Sequence, residues 1–252
     1  MSYAVIIGVY KGGRWLSRIV EACVNQTVPP DKIFVWMNWN KDLEYIFPVM
    51  YAEIESRYGK KCDIERIVDF GNHGVYSRFT AAFIHNYDRY LVLDDDTIPG
   101  IKFVENCYNT IDCIGNNSII GYRGIRLKPD ALYDVDAYEK GTTSITEVDL
   151  CGHAWFVTRQ QILAMFEDIP VNYFNGEDTH ISAINQIKYG TRTYIPQQLI
   201  SEPQTWGSTM QHLGAQAGRL STSLGPQEHF EQRKRVNEHW ISKGWTPLFS
   251  RS

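Results

Sequence analysis

The chain has 252 residues, 43% of them hydrophobic and 21% charged. That suits one large α/β domain and excludes a disordered chain. A net charge of −4 argues against a nucleic-acid partner, because polyanion binding shows as a basic surplus.

The pattern along the chain alternates. Residues 3–9 are an apolar run too short for a helix and read as a buried strand. Over 14–24 the apolar residues fall at helical spacing, and Pro29-Pro30 closes that unit. A strand is expected over 32–38, a helix over 42–58 with Pro48 near its start, and a strand over 62–68. The Gly71–Gly74 turn precedes an expected helix over 75–86. A strand over 90–93 follows and ends in Asp94-Asp95-Asp96. In the second half, 119–127 and 147–157 read as strands, the latter interrupted at Cys151-Gly152-His153. Helices are expected over 160–166 and 178–188. Residues 197–225, rich in Gly, Ser, Thr and Gln, read as a long loop. The final helix is expected over 226–243, with Pro226 in its first turn. Strands alternating with helices imply crossovers, a mostly parallel sheet and ligand binding outside the carboxyl ends of its strands.

No stretch reaches the roughly 18 apolar residues that span a membrane. The segment MSYAVIIGVYKGG lacks the basic flank of a signal peptide. A soluble, cytosol-like protein is therefore expected. Its five cysteines (Cys23, Cys62, Cys107, Cys113, Cys151) form no C-x-x-C pair, so reduced thiols are expected rather than a zinc site.

Three clusters carry chemistry. In YLVLDDDTIPG a buried strand delivers carboxylates at its tip. Alternation puts Asp94 and Asp96 on one face and Asp95 on the other. Two carboxylates on one face suit Mg²⁺ or Mn²⁺, although a solvated acidic turn has the same composition. In NYFNGEDTHISAINQ, Glu177 and Asp178 open a helix, where carboxylates favour the macrodipole; Asp178 is a cap or a functional acid. In PQEHFEQRKRVNEHWISKGWTPL, His229 and Arg233 share a helix face, from which an Arg can fork onto phosphate. The alternative there is a solvated amphipathic helix. His212 is a rival metal ligand to His229. Trp155, His153 and Trp206 are structural residues or acceptor-side contacts. Motifs for P-loop NTPases, dinucleotide binding, zinc proteases and α/β-hydrolases are missing.

On these residues the chain resembles GT-A fold glycosyltransferases, and within them the exostosin-like transferases of family 64. Phe34-Val-Trp-Met-Asn38 is similar to the family's V-W-N-N. Ser77-Arg78-Phe79 resembles N-R-[FL], and Leu150-Cys-Gly-His-Ala-Trp-Phe156 its short Gly-Ala strand. Asn175-Gly-Glu-Asp178 resembles N-x-D-D. His229-x-x-x-Arg233 with Gly244-Trp-Thr-Pro-Leu248 resembles H-x-x-x-R-S … G-x-M-P-L. Lys234 departs from the family's Ser, and Gly12 from an expected phosphate-binding Arg. More distantly, inverting family 2 enzymes also combine D-x-D with a later E-D.

The resemblance implies one GT-A domain over 1–252, with a nucleotide-sugar half over 1–100 and an acceptor and catalytic half over 101–252. It implies transfer of a sugar from a UDP-sugar to a hydroxyl of a glycan acceptor, with retention ahead of inversion. Tyr10 and Asn38 would contact the nucleoside, and Asp94 and Asp95 ribose and sugar hydroxyls. Asp96, with Asp94, would hold Mn²⁺ or Mg²⁺. Arg78, Glu177 and His229 would bind the donor, and Arg233 and Asp178 would act at the reacting centre. Two other readings are a nucleotidyltransferase, for which Lys11-Gly-Gly-Arg14 is a partial match, and a non-catalytic carbohydrate-binding module.

Overall fold

The computed structural model describes residues 2–10, 13–39, 41, 44, 46–134, 141–207 and 226–251. The apolar run near the amino end forms β1 (Tyr3–Val9), the centre of a parallel layer. Its neighbours are β2 (Lys32–Asn38) and β4 (Arg89–Asp94), with β3 (Asp63–Asp69) outside β2. The sheet continues through β8 (Leu150–Thr158), β5 (Ser118–Leu127), β9 (Arg192–Ile195) and β7 (Thr146–Val148), in the order β3-β2-β1-β4-β8-β5-β9-β7. β8 runs antiparallel to both β4 and β5, while β9 is parallel to β5. A two-residue strand, β6 (Tyr133–Asp134), lies off this path and pairs with β5. The expected mixed, mostly parallel α/β architecture is the one observed.

Period-2 alternation along β1 sorts its residues onto two cores. Val5, Ile7 and Val9 face α1 (Leu16–Val24), α2 (Ile46–Tyr58) and α4 (Phe103–Ile114), packing on Leu16, Ile19, Phe47, Ile54, Phe103 and Cys107. Ala4 and Ile6 face the opposite side, with Trp36, Phe79, Trp155, Ile162 and Ile181. There the short α3 (Ala81–Ile84), α5 (Arg159–Ala164) and α6 (Glu177–Tyr189) cover the sheet. A third cluster packs Ile184 of α6 against Val236 and Trp240 of α7 (Pro226–Ser242) and against Trp245.

Several expectations need correction. Residues 75–86 do not form one helix: a 3₁₀ turn (Ser77–Thr80) leads into a single α turn that ends where His85 becomes extended. The turn is held by a local tie, the Thr80 hydroxyl donating to the Ser77 carbonyl, and by a long-range one, Ser77 donating to Asn38. Residues 42, 43 and 45 of the expected 42–58 helix lie outside the described residues, and α2 is described over Ile46–Tyr58. The segment 147–157 is two strands in different parts of the sheet, β7 at an edge and β8 in the middle. β6 and β9 are too short to show a period. In the expected loop, Pro203–Thr205 form a 3₁₀ turn and Gly207 bridges to Pro99. Residues 208–225, including His212, lie outside the described residues, as do Lys11 and Gly12.

All five cysteines are free thiols, as expected. Among the described residues no helix is long and apolar enough to cross a membrane.

Candidate active site

β4 ends at Asp94, so the acidic triplet stands at the carboxyl edge of the parallel layer. Its members separate as alternation requires. Asp95 turns back toward β1 and accepts the backbone N–H of Tyr10 at 2.8 Å. Asp94 and Asp96 share the other side with His153 of β8, and one ligand atom from each of the three lies within 4.8 Å of the others. His153 gets there through irregular backbone. Its φ is +68°, a left-handed value uncommon for a residue with a Cβ, and the β5–β8 register shifts beside it. The strand interruption read at Cys151-Gly152-His153 is this bulge.

The donor set fits a divalent cation. Two carboxylates and an imidazole make a mixed oxygen and nitrogen set, which suits Mn²⁺ better than Mg²⁺ with its preference for an oxygen shell. His153 Nδ1 lies 3.7 Å from Asp96 Oδ1, and the Thr97 hydroxyl donates to the same oxygen at 3.4 Å. Burial works against ionising Asp96, yet His153 and Thr97 hold its carboxyl below the usual range. The residues therefore fit a cation held by Asp94, Asp96 and His153.

Arg78 joins this corner to α6. Its Nη1 donates to Asp94 Oδ1 at 2.6 Å and its Nη2 to Glu177 Oε1 at 3.1 Å. The guanidinium lies over the Trp155 ring at 5.2 Å and the Phe79 ring at 5.4 Å. Space for it comes from Gly8, which pairs with Asp94 across β1 and β4; a Cβ on Gly8 would sit 2.7 Å from Arg78 Cδ. Trp155 thus has a structural role beneath the site. Trp206 is also buried, donating its indole N–H to Leu199.

Gly176, at φ +86° and pressed against Val236, turns the chain into α6. The helix is buried on all sides for its first nine residues. Burial and the neighbouring Asp178 raise the Glu177 carboxyl to about 7, with Arg78 acting in the opposite direction. Asp178 accepts the Thr179 backbone N–H at 2.8 Å and faces the Tyr133 hydroxyl, 3.1 and 3.2 Å from its two oxygens. Arg233 Nη2 lies 3.7 Å from Asp178 Oδ2, while Arg233 Nε donates to Asn175 at 3.1 Å. Asn175 Nδ2 in turn donates to the His229 carbonyl at 3.3 Å. Burial and the Arg233 charge push His229 down to about 4, so its ring is neutral at neutral pH.

The structure therefore brings Arg78, Asp94, Asp96, Glu177, Asp178 and Arg233 into one charged network. Asn38 stands at its flank: its amide oxygen accepts from Trp36 and Ser77, and its nitrogen donates to Gly74. Beyond that wall lies a cavity of about 440 Å³ lined by Trp36, Ile67, His73, Tyr76, Phe166 and Tyr173. His229 sits with Asn175 and Arg233 rather than with the three-ligand group. His153, expected as an acceptor-side or structural residue, belongs to the candidate metal group, and Tyr133 carried no expectation. The signal for His153 was the strand break; Tyr133, on a two-residue strand, gave none.

No family model matches the chain, and no curated protein matches it in sequence. Its structure resembles GT-A glycosyltransferases. One is GalNAc-T7 in a crystal structure with UDP, GalNAc and Mn²⁺, at 12% identity and TM-score 0.59, covering 77% of this chain and 41% of that one. Another is TarS of S. aureus, at 13% identity and TM-score 0.52, covering all of this chain and 44% of that one. A third is residues 1–349 of TarS with UDP-GlcNAc, at 12% identity and TM-score 0.55, covering 96% and 72%. The chain thus spans less than half the length of the first two. At these identities the likeness gives the GT-A fold and does not single out family 64 within it.

Proposed function

We propose that this chain is a metal-dependent glycosyltransferase that moves a sugar from a nucleoside-diphosphate sugar, in first place a UDP-sugar, to a hydroxyl of a glycan acceptor. The observation that carries the reading is the Asp94, Asp96 and His153 group at the carboxyl edge of a GT-A sheet, next to the Glu177-Asp178 helix start. The neighbours with UDP, UDP-GlcNAc or Mn²⁺ in their structures support it.

Residues 1–100 form the donor half and 101–252 the acceptor half in this reading. Tyr10 and Asn38 border the nucleoside, and Asp95 fixes the Tyr10 backbone beside it. Asp94, Asp96 and His153 hold Mn²⁺, whose charge offsets that of the diphosphate leaving group. Arg233 adds positive charge on the Asp178 side, 25% exposed and therefore open to a ligand. Arg78, both terminal nitrogens already bonded, acts on the donor through Asp94. Glu177 and His229 shape the donor pocket around Arg78 and Asn175. Asp178 stands at the anomeric centre. The family 64 resemblance supports retention, in which Asp178 positions the donor sugar; in inversion it would take the acceptor proton.

The test is turnover of a panel of UDP-sugars with MnCl₂. UDP release by the wild-type chain, abolished in Asp96→Ala, is the expected result. Release that is equal in wild type and variant contradicts the reading. The anomeric configuration of the product, read by NMR, decides between retention and inversion.

A further inference from the structure

Tyr133 carries a role that its sequence context does not suggest. It sits on β6 and is only 6% exposed. Its hydroxyl lies within hydrogen-bond distance of three oxygens: both of the Asp178 carboxylate, at 3.1 and 3.2 Å, and Thr179 Oγ1 at 3.2 Å. Its ring lies under the Arg233 guanidinium, 5.0 Å from centroid to Cζ. One side chain therefore touches both the acid and the cation of the proposed reacting centre.

The direction of these hydrogen bonds follows from a chain of fixed partners. The Ala131 carbonyl is an obligatory acceptor, so Asn237 presents its amide nitrogen there, at 2.8 Å. Asn237 Oδ1 then faces Thr179 and takes the only hydroxyl hydrogen Thr179 has, at 2.7 Å. Thr179 has none left for Tyr133. The Tyr133 hydrogen points into the Asp178 and Thr179 oxygens, and Tyr133 is a donor. Burial and the Asp178 charge both raise its phenol well above the ordinary value, so it keeps that hydrogen. Ala131, at φ +63°, holds the turn that carries Tyr133 against α7.

We propose that Tyr133 is the positioning residue of Asp178: its hydroxyl, facing a carboxylate that can only accept and a Thr179 whose hydrogen is committed to Asn237, donates to Asp178 and holds that carboxylate in the rotamer that leaves it 3.7 Å from Arg233 instead of closed on it. A carboxylate free of that donor would collapse into a charge-assisted pair with Arg233. Both groups would then be lost to the substrate. The idea rests on the glycosyltransferase reading for its kinetic consequence, though not for its structural one.

Tyr133→Phe tests it, because the ring under Arg233 remains and only the hydroxyl goes. In a crystal structure of the full-chain variant, the Asp178–Arg233 contact should shorten to hydrogen-bond distance. An Asp178 carboxylate that keeps the wild-type rotamer overturns the proposal. With whichever UDP-sugar the wild type turns over, kcat should fall about 100-fold while KM for the donor stays within about twofold. An unchanged kcat, or a loss confined to KM, also overturns it. Wild type that releases UDP from none of UDP-glucose, UDP-galactose, UDP-GlcNAc, UDP-GalNAc and UDP-glucuronic acid refutes the glycosyltransferase reading, and the crystal structure still decides the role of Tyr133. Should Tyr133→Phe not fold, Thr179→Val is the second variant. It removes the second acceptor of the Tyr133 hydrogen, and Tyr133 should then bond Asp178 alone; a Tyr133 hydroxyl turned away from Asp178 there is the contrary result.

Discussion

Four acids of the site are each set by a different neighbour, while Glu177 shares Arg78 with Asp94. Asp95 is tied to Tyr10, Asp94 to Arg78, Asp96 to His153 and Thr97, and Asp178 to Tyr133. Substituting His153 by Ala removes the one nitrogen ligand, and Mn²⁺ affinity by isothermal titration is expected to fall about 10–100-fold. Glu177 gives a pH signature. Its proton is held to about pH 7 in the folded chain and released near 4.5 in the unfolded one. Between those values the folded state binds more protons, so stability is full below 4.5 and falls as pH rises toward 7. His229, pushed down to about 4 from 6.5, slopes the other way, losing stability as pH falls through that window. Comparing Glu177→Gln with wild type cancels the His229 contribution. The difference in unfolding free energy should move in favour of the variant by on the order of 1–3 kcal/mol from pH 4.5 to 7. A pH-independent difference in denaturant melts is the contrary outcome.

At the level of elements, legibility followed length. β1, β2, β4 and α1 carry enough apolar residues for a pattern to show, and the structure has them where the pattern places them, whereas α4 was not expected. The acidic tip was legible because a buried strand ending in three carboxylates is a local pattern. The sites that failed are those whose conformation is decided from afar. The segment 75–86 reads as one helix, yet Asn38 and Gly74 bind Ser77 while Asp94 and Glu177 bind Arg78. β6 exists only because β5 offers its edge, so Tyr133 had no signal in its own neighbourhood. Gly8 reads as an ordinary residue of a buried strand, and its meaning appears once Arg78 is beside it. Gly8→Ala should displace that guanidinium and cost about 1–3 kcal/mol through overpacking, read by chemical denaturation. Nearby Ala4→Gly, which clashes with nothing, should lower stability without weakening Mn²⁺ binding; equal Mn²⁺ affinity in Gly8→Ala and wild type contradicts the role given to Gly8.

Across the whole molecule, one sheet joins the two sides of the site. β4 supplies the acids, β8 between β4 and β5 supplies His153, and α6 returns Glu177 and Asp178 to the same corner. The antiparallel strand is what the alternating pattern could not foretell, since sequence distance hides that residues near 94 and 153 are neighbours. A ligand that binds this corner in the native state raises the melting temperature by an amount that grows with the logarithm of its concentration over its Kd. Under the proposed function this corner takes a diphosphate through a shared cation, and calorimetric titration of UDP into the wild-type chain with MnCl₂ and with EDTA measures that coupling. Binding that tightens at least about tenfold with Mn²⁺, a gain of about 1.4 kcal/mol, and that loses this gain in Asp96→Ala, is the predicted result. UDP affinity indifferent to the metal, or no UDP binding at all, would contradict it.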